Sequence, residues 1–430
     1  MKRCLVLLLL LVTACQPSNT AWLCECRDAN PVVEVAVTLP AASGVGVCHW
    51  IAPDGLPAEV GWGYETTTAV HWKTLEPQRD VFDFGLLDGY VQARPGVKLW
   101  LAIQTVGAGI DGQPKAPQWL IDEGAVWHTA GCSNHYGVFA VWDAVYLRRL
   151  EVLLAAVNEH ISSQDAAYQE AIGGIVMMTG GAYGEAHLYQ WHETCNLEKA
   201  IRDYYGLGHT DEQFDDAWSE SVLRILDRYM EAFPDWPIMV QLGWPVVDEP
   251  LLWYGWNRYG GRLYAKWQGW APTNVGDGKD GVRQDGNEYY GNLFRGYYGM
   301  LHYGFEPGHP VQEWLGPAQY LNAMQWALDA KASFACFQAG ETLEAAQALD
   351  EWAAFDAELE ANAAGVVPTA TPMPMETPGP TPTITASPTR PTITTTPVSP
   401  APTATAIPTL TPKPDTWLCD CVPVTPTPGG

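Results

Sequence analysis

The chain has 430 residues, enough for one large domain or two to three small ones, and its 49 acidic and 23 basic residues give a net charge of −26. No Lys/Arg run or basic patch is present, which argues against nucleic acid as a partner. The 20 tryptophans and 19 tyrosines suit either a packed core or a sugar-binding cleft, and composition does not separate these two readings.

Residues 1–15 have the features of a secretory signal: Lys2 and Arg3, an apolar run too short to span a bilayer, and then "VTAC". This ending resembles a bacterial lipobox, in which Cys15 is lipidated and becomes the new N-terminus. An ordinary cleaved signal with a stray cysteine is the alternative. We therefore expect an extracytoplasmic lipoprotein that is held on a membrane or cell surface by a lipid on Cys15. Residues 16–43 would then form a tether between this anchor and the folded domain.

Between residues 44 and 365, short apolar runs alternate with longer amphipathic stretches. Continuous apolar runs are typical of strands that are buried on both faces. The predicted strands are 44–50, 67–72, 97–104, 172–181, 237–243, 281–286, 309–316 and 333–338. The predicted helices are 143–160, 211–234, 317–332 and 341–365.

Strands that alternate with helices predict parallel pairing with helices covering the sheet. Eight strands over this length predict a (β/α)8 TIM barrel with decorated βα loops. A doubly wound α/β sheet is the alternative, but no Gly-x-Gly-x-x-Gly turn follows the early strands to support a nucleotide-binding version. Residues 366–415 are mostly Thr and Pro and predict a disordered, extended stalk, followed by a short tag at 416–430.

Two carboxylates are placed where a barrel carries its active site, just past the carboxyl ends of strands. Glu185, in "GGAYGEAHLYQW", follows the predicted fourth strand, and Glu313 ends the predicted seventh. A pair of carboxylates is what glycoside cleavage requires: one protonates the leaving oxygen, and the other attacks the anomeric carbon or activates water. Glu288 and Glu306 are rivals for the second position. A solvated loop glutamate is the alternative reading of either residue.

The stretch "HWKTLEPQRDVFDFGLLDGYVQARPGVKLWLAI" (71–103) resembles the W-x-x-L-E-P-x-x-G-x-F-D-F segment of β-galactosidase-like clan-A glycoside hydrolases, such as families 5 and 42. The resemblance spans roughly residues 60 to 340. It implies that Glu185 is the acid/base, Glu313 the nucleophile and the mechanism retaining, while Glu76 of "LEP" is interpreted as a structural cap or ion pair. Gly184 stands where the clan usually has Asn, which departs from its standard substrate contact.

Several further residues are candidates for lining a sugar site, although each alone is more often a packing or turn residue. They are His71, Trp72, Tyr183, His187, Trp191, Trp244, Asp285, Asn287 and Trp314. The histidines show no metal-binding spacing, so no metal and no cofactor are predicted. The sequence thus predicts an exported enzyme that hydrolyses a β-linked glycoside. The alternatives are a non-catalytic carbohydrate-binding surface lipoprotein on the same barrel and a structural surface protein.

Eight cysteines remain outside the signal, an even number that suits disulfides in an exported chain. Cys132 and Cys195 fall in neighbouring βα loops and are predicted to form a bridge, and Cys48 and Cys336 are predicted neighbours where the barrel closes. The motif Trp-Leu-Cys-acid-Cys occurs twice, in "AWLCECRD" and "TWLCDCVP". We interpret these two copies as small disulfide-bonded or self-pairing tags.

Overall fold

The structure is a computed structural model that describes residues 21–28, 46–50, 62–65, 70–93, 98–105, 114–129, 137–179, 186, 197–206, 211–243, 245–270, 281–307, 317–337, 351–365 and 417–424. The chain divides into two compact units. One is Glu34–Glu376, and the other combines Met1–Val33 with Thr377–Gly430. No helix within the described ranges is long and apolar enough to cross a membrane.

The larger unit is a closed barrel of eight parallel strands, each paired with the next and the last paired with the first. The predicted (β/α)8 fold is therefore confirmed, and the doubly wound alternative is wrong because an open sheet would leave its outer strands unpaired. In chain order the strands are β1 (Gly46–Trp50), β2 (Trp62–Glu65), β3 (Lys98–Ala102), β4 (Ile172–Met177), β5 (Ile238–Leu242), β6 (Leu263–Trp270), β7 (His302–Pro307) and β8 (Phe334–Phe337).

Helices follow the strands along the chain, as the alternating pattern predicts. They are α1 (Trp72–Leu75), α2 (Gly85–Ala93), α3 (Gln118–Asp122), α4 (Ala144–Ser163), α5 (Ala166–Ala171), α6 (Leu197–Tyr205), α7 (Asp211–Ala232), α8 (Pro245–Tyr259), α9 (Gly281–Gly296), α10 (Pro317–Asp329) and α11 (Trp352–Ala364). A short 3₁₀ turn, Gly260–Arg262, leads into β6, and two two-residue strands, Trp127–His128 and Val138–Phe139, form a small antiparallel pair. The start of α4 shows why such a helix begins where it does: Asp143 caps it by accepting from the backbone N–H groups of Val145 and Tyr146.

Three strand predictions differ from the structure. The second strand is Trp62–Glu65, and α1 occupies part of the predicted 67–72 segment. The predicted sixth strand, 281–286, is the start of α9, and the sixth strand is instead Leu263–Trp270. The seventh strand is His302–Pro307, whereas the predicted 309–316 segment lies outside the described residues.

The barrel interior is filled by alternate residues of the strands, as expected for parallel strands that bury both faces. This inner cluster consists of Trp100, Ala102, Val176, Met178, Met239, Tyr264, Phe334 and Cys336. Gly174 on β4 makes room for the indole of Trp100, because a Cβ at that position would lie 2.6 Å from the ring. The glycines of "IGGIVM" are therefore required by packing inside the barrel.

Barrel closure brings two cysteines into register, as predicted. Cys336 on β8 pairs with Cys48 on β1 in the parallel ladder. Cys336 is fully buried and disulfide-bonded. The predicted Cys132–Cys195 bridge lies outside the described residues.

The smaller unit contains an antiparallel pair of strands, Ala21–Asp28 and Trp417–Val424, which we call the cysteine ribbon. Its two strands are the two copies of the Trp-Leu-Cys-acid-Cys motif. The structure thus shows that these tags pair with each other.

Candidate functional site

A buried ion pair lies near the carboxyl end of the barrel, where enzymes of this fold place their chemistry. Glu306 is the penultimate residue of β7, and its carboxylate is paired with the ammonium group of Lys266 on β6. The side chains of Lys266 and Glu306 are 0% and 2% exposed. Each charge compensates the other in a site from which water is largely excluded. This arrangement fixes a negative carboxylate at the end of the seventh strand.

The positions of these two residues in their strands indicate that both face the barrel interior. Lys266 lies two residues after Tyr264, which belongs to the inner cluster, while Phe305 beside Glu306 packs in the outer core. Since successive side chains of a strand alternate between faces, Lys266 and Glu306 fall on the inner face. Glu306 was a rival for the second carboxylate in the sequence, and the structure puts it at the strand position that Glu313 was predicted to hold.

An unpaired amide lies at the end of β3. The side chain of Gln104 is fully buried, and among the residues that the structure describes neither its amide nitrogen nor its amide oxygen has a hydrogen-bond partner. Its backbone is well fixed, with N–H donating to Val70 O at 2.9 Å and C=O accepting from Trp72 N at 3.0 Å. Gln104 continues the inward alternation of Trp100 and Ala102. A buried amide without a partner is costly, so this group is suited to a ligand that carries hydroxyl groups.

The residue after Glu185 is pinned to the barrel. The backbone N–H of Ala186 donates to the carbonyl of Gln241 at 2.8 Å, and Gln241 is the fourth of the five residues of β5. The carbonyl of Ala186 accepts from the indole N–H of Trp218 at 2.8 Å, and Ala186 itself is fully buried. Ala186, the residue after Glu185 in the chain, is therefore fixed near the carboxyl end of the fifth strand.

Deeper in the barrel, the inner cluster includes aromatic side chains that contact one another. The ring of Tyr264 lies 4.6 Å from that of His302 and 4.9 Å from that of Trp100. His302 Nδ1 lies 3.3 Å from the Ser333 hydroxyl. Burial lowers the pKa of His302 to about 4, so its imidazole is neutral at neutral pH. His302 therefore contributes no charge to the base of the candidate site.

The "LEP" segment forms a structural network. Glu76 is fully buried and accepts from the indole N–H of Trp72 at 2.8 Å and from the backbone N–H of Asp80 at 3.0 Å. Its second interaction is an ion pair with Arg149 of α4, which also binds Asp80 at 2.9 Å. The interpretation of Glu76 as an ion-pair residue is confirmed. Trp72 is a fully buried member of the outer core, so the structure corrects its predicted place in a sugar site.

The other predicted residues are placed only in part. His71 is half-buried and forms a parallel bridge with Gln104, which puts it at the end of the barrel where the site was predicted. Asp285 and Asn287 lie on α9, where the structure describes the backbone alone. The remaining predicted residues lie outside the described ranges: Cys15, Cys132, Tyr183, Glu185, His187, Trp191, Cys195, Trp244, Glu313 and Trp314.

Sequence reasoning missed Lys266 and the amide of Gln104. Lys266 was missed because a lysine in the middle of a segment interrupts the continuous apolar run by which a buried strand is recognised. Gln104 ended a predicted strand, but nothing in the sequence showed that its side chain is buried without a partner. A polar residue at an inward position beyond an apolar strand is the signal that could have revealed it.

No model of a protein family matches the chain, and no curated protein sequence matches it. Solved structures do resemble it in fold. The catalytic domain of a β-amylase from Paenibacillus polymyxa is 11% identical, with a TM-score of 0.50 over 69% of this chain and 93% of that domain. A β-galactosidase from the haloarchaeon Halorubrum lacusprofundi is 18% identical, with a TM-score of 0.44 over 74% of this chain and 58% of its own.

A β-galactosidase from the psychrophile Marinomonas ef1 is 13% identical, with a TM-score of 0.41 over 74% of this chain and 59% of its own. The matched part of each β-galactosidase is thus less than two thirds of its length. The likeness to the β-amylase domain, at 11% identity, is one of fold alone.

Proposed function

We propose that this chain is an exported glycoside hydrolase that cleaves a β-linked glycoside with two carboxylates. The observation that carries the proposal is the anchoring of Ala186, the residue after Glu185 in the chain, near the carboxyl end of the fifth strand. The same end holds the Glu306 carboxylate and the unpaired amide of Gln104. The likeness in fold to the catalytic domain of a β-amylase is compatible with the proposal. The proposed substrate and mechanism depend on the three residues Glu185, Glu306 and Gln104.

The role of Glu185 is proton transfer to the leaving oxygen of the glycoside. A glutamate in the loop after the fourth strand of such a barrel is suited to reach the scissile bond from one side of the barrel mouth. Three glycines precede it in "GGAYGE", and residues without a side chain allow a backbone to approach a sugar closely. Glu185 is the acid/base in this proposal.

The second carboxylate comes from the seventh strand or from the loop after it. Glu313 is the nucleophile that the family resemblance implies, and it follows β7 in the chain. Glu306 holds the strand-seven position itself, with its charge stabilised by Lys266. A carboxylate about 5–5.5 Å from Glu185 would act as nucleophile and give retention. A separation of about 6.5–9.5 Å would leave room for an activated water and give inversion.

The amide of Gln104 suits a binding role. A glutamine side chain can both donate to and accept from sugar hydroxyl groups. Because the amide is buried and unpaired, a ligand that leaves it unsatisfied would be disfavoured by about 1–3 kcal/mol. We assign Gln104 to orienting the substrate, together with His71 beside it.

Export and anchoring belong to the same proposal. The charged and apolar start of the chain supports secretion, and the lipobox-like "VTAC" supports a lipid on Cys15. The partners would then be a carbohydrate in the cleft and a membrane at the N-terminus. An extracytoplasmic location also suits the cysteine content.

A non-catalytic carbohydrate-binding lipoprotein is the second candidate. It is favoured by the closed ion pair of Glu306 and Lys266, because a carboxylate that is 2% exposed and already paired does not face a substrate. In that case the barrel would hold a sugar through Gln104 and aromatic rings without cutting it. The two candidates differ in whether loss of a carboxylate changes turnover or only binding.

A screen with aryl β-glycosides tests the proposal. Wild-type protein should hydrolyse at least one sugar of the panel, and Glu185→Gln should lower its kcat/KM by about 100-fold or more. Glu358→Gln on α11 is the matched control, since Glu358 is exposed and this variant should keep full activity. Sugar binding by calorimetry without turnover of any glycoside would establish the second candidate instead.

A further inference from the structure

The register of the cysteine ribbon brings its four cysteines together in two facing pairs. Cys24 lies opposite Cys421, and Cys26 lies opposite Cys419. The first cysteine of each copy thus meets the second cysteine of the other copy, which follows from antiparallel pairing of a repeated Cys-x-Cys motif. Because the two cysteines of each copy are two residues apart, all four positions fall on one face of the ribbon.

A proline in the ribbon shows whether the two facing cysteine pairs are hydrogen-bonded or non-hydrogen-bonded pairs of the antiparallel ladder. Pro423 lies opposite Trp22, and proline has no N–H to exchange with a facing residue. That pair must therefore be of the non-hydrogen-bonded kind, and the kinds alternate along an antiparallel ladder. The two cysteine pairs lie two and four residues from it, so they are non-hydrogen-bonded as well. Facing Cα atoms in such pairs are about 4.5 Å apart, within the range of about 4.4–6.8 Å that disulfides use.

Three features of the ribbon work against its pairing by backbone hydrogen bonds alone. A two-stranded sheet alone is marginally stable at best in water. Nearly the whole chain forms the loop between these strands, so closing it costs entropy. Glu25 faces Asp420 in the ladder, and like charges in facing positions repel. A covalent link between the strands would offset these unfavourable contributions.

We propose that two interstrand disulfides, Cys24–Cys421 and Cys26–Cys419, lock the ribbon within one chain. Each bond forms when two thiols lose two protons and two electrons to a disulfide-bearing oxidant, which is reduced to a dithiol. A tetrahedral zinc site fits less well. Four thiolates on one face of a ribbon would approach a metal from one side only, whereas structural zinc is enclosed by its four ligands.

Such a lock gives the repeated motif a function that is independent of the barrel's chemistry. It would join the end of the Thr/Pro-rich segment back to the segment that precedes the barrel. The chain would then be a closed covalent loop, and cleavage of the Thr/Pro-rich segment by a protease would not release the C-terminal tag. The inference concerns the smaller unit, so failure of the proposed glycosidase function would leave it untouched.

Peptide mapping of the full-length, unreduced protein tests the proposal directly. An acidic residue separates the two cysteines of each copy, namely Glu25 and Asp420. After alkylation and denaturation without reductant, a protease that cuts after both Glu and Asp therefore places all four cysteines on different peptides. Mass spectrometry should find the Cys24 peptide linked to the Cys421 peptide and the Cys26 peptide linked to the Cys419 peptide. A reduced sample, in which both links disappear, is the control.

Three outcomes would overturn the proposal. Alkylation of all four thiols before reduction would show that the cysteines are free or bound to a metal. The zinc content of the purified protein, measured by atomic absorption, would distinguish these two cases. A Cys24–Cys26 link or a Cys24–Cys419 link would show another pairing. A disulfide-linked dimer on a non-reducing gel would show that the copies pair between chains.

A variant pair keeps the test sharp if the full ribbon resists digestion. Cys24→Ser should leave Cys421 alone open to alkylation while the Cys26–Cys419 link persists. Cys26→Ser should do the converse, with Cys419 open and the Cys24–Cys421 link intact. If either variant instead links its remaining cysteine to the wrong partner, the register does not determine the pairing and the proposal is wrong.

Discussion

Replacing Lys266 by methionine should strongly destabilise the barrel, because it removes the ammonium group that is paired with the buried carboxylate of Glu306. The two side chains are 0% and 2% exposed, so water cannot replace the lost ammonium group. Breaking such a pair costs about 3–5 kcal/mol. Whole-domain stability is about 5–15 kcal/mol, so this single change removes a large part of it. In a domain of this size the melting temperature should fall by roughly 5–10 °C.

Thermal unfolding followed by circular dichroism measures the effect, with an exposed ion pair as the control. Lys199 pairs with Asp203 one turn along α6, and their side chains are 65% and 53% exposed. Lys199→Met should therefore cost about 0.5 kcal/mol or less. The double variant Lys266→Met with Glu306→Gln should recover most of the loss, since both charges of the pair are then removed. Equal melting temperatures for Lys266→Met and Lys199→Met would refute the buried pair.

Further predictions concern the network, the floor of the site and the anchor. Glu76→Gln should lower the melting temperature by several degrees through loss of its buried ion pair, yet leave kcat/KM unchanged where the protein is folded; a loss of kcat alone would give Glu76 a direct role. His302 has a pKa of about 4 when folded and about 6.5 when unfolded, so the unfolded state takes up its proton first and stability should fall between about pH 6.5 and pH 4. In urea titrations, His302→Gln should show a smaller fall over that window, and an unchanged pH dependence would contradict the neutral buried imidazole. Cys15→Ala should move the protein from the detergent phase to the aqueous phase, and equal partitioning of the two forms would exclude the lipid anchor.

The sequence predicts best where a strand is apolar on both faces. The segment around β4 is buried at all six positions, so its uninterrupted apolar run was recognisable. The (β/α)8 class followed from such runs and from the helices between them. β6 and β7 were missed because inward-facing Lys266 and Glu306 interrupt the apolar pattern. Charged residues that serve a buried site disguise the strands that carry them.

The candidate site was predicted only in part for a related reason. The sequence suggested Glu306 only as a rival to Glu313, because no predicted strand contained it. Partners across the barrel cannot be estimated, because Lys266 and Glu306 meet only when neighbouring strands align in register. The same holds for Gln104, whose unpaired amide results from three-dimensional packing. Glu185 and Glu313 stay predictions, since both lie outside the described residues.

The role of Glu185 as acid/base is tested most directly by the leaving-group dependence of Glu185→Ala. A dinitrophenyl glycoside needs no proton for departure, whereas an alkyl glycoside of the same sugar does. The account predicts that Glu185→Ala lowers kcat/KM by about 100-fold or more on the alkyl glycoside while still forming the glycosyl-enzyme from the dinitrophenyl one. Added azide should then speed turnover and yield the β-glycosyl azide. Equal loss on both substrates, or normal activity on the alkyl glycoside, would contradict the assignment.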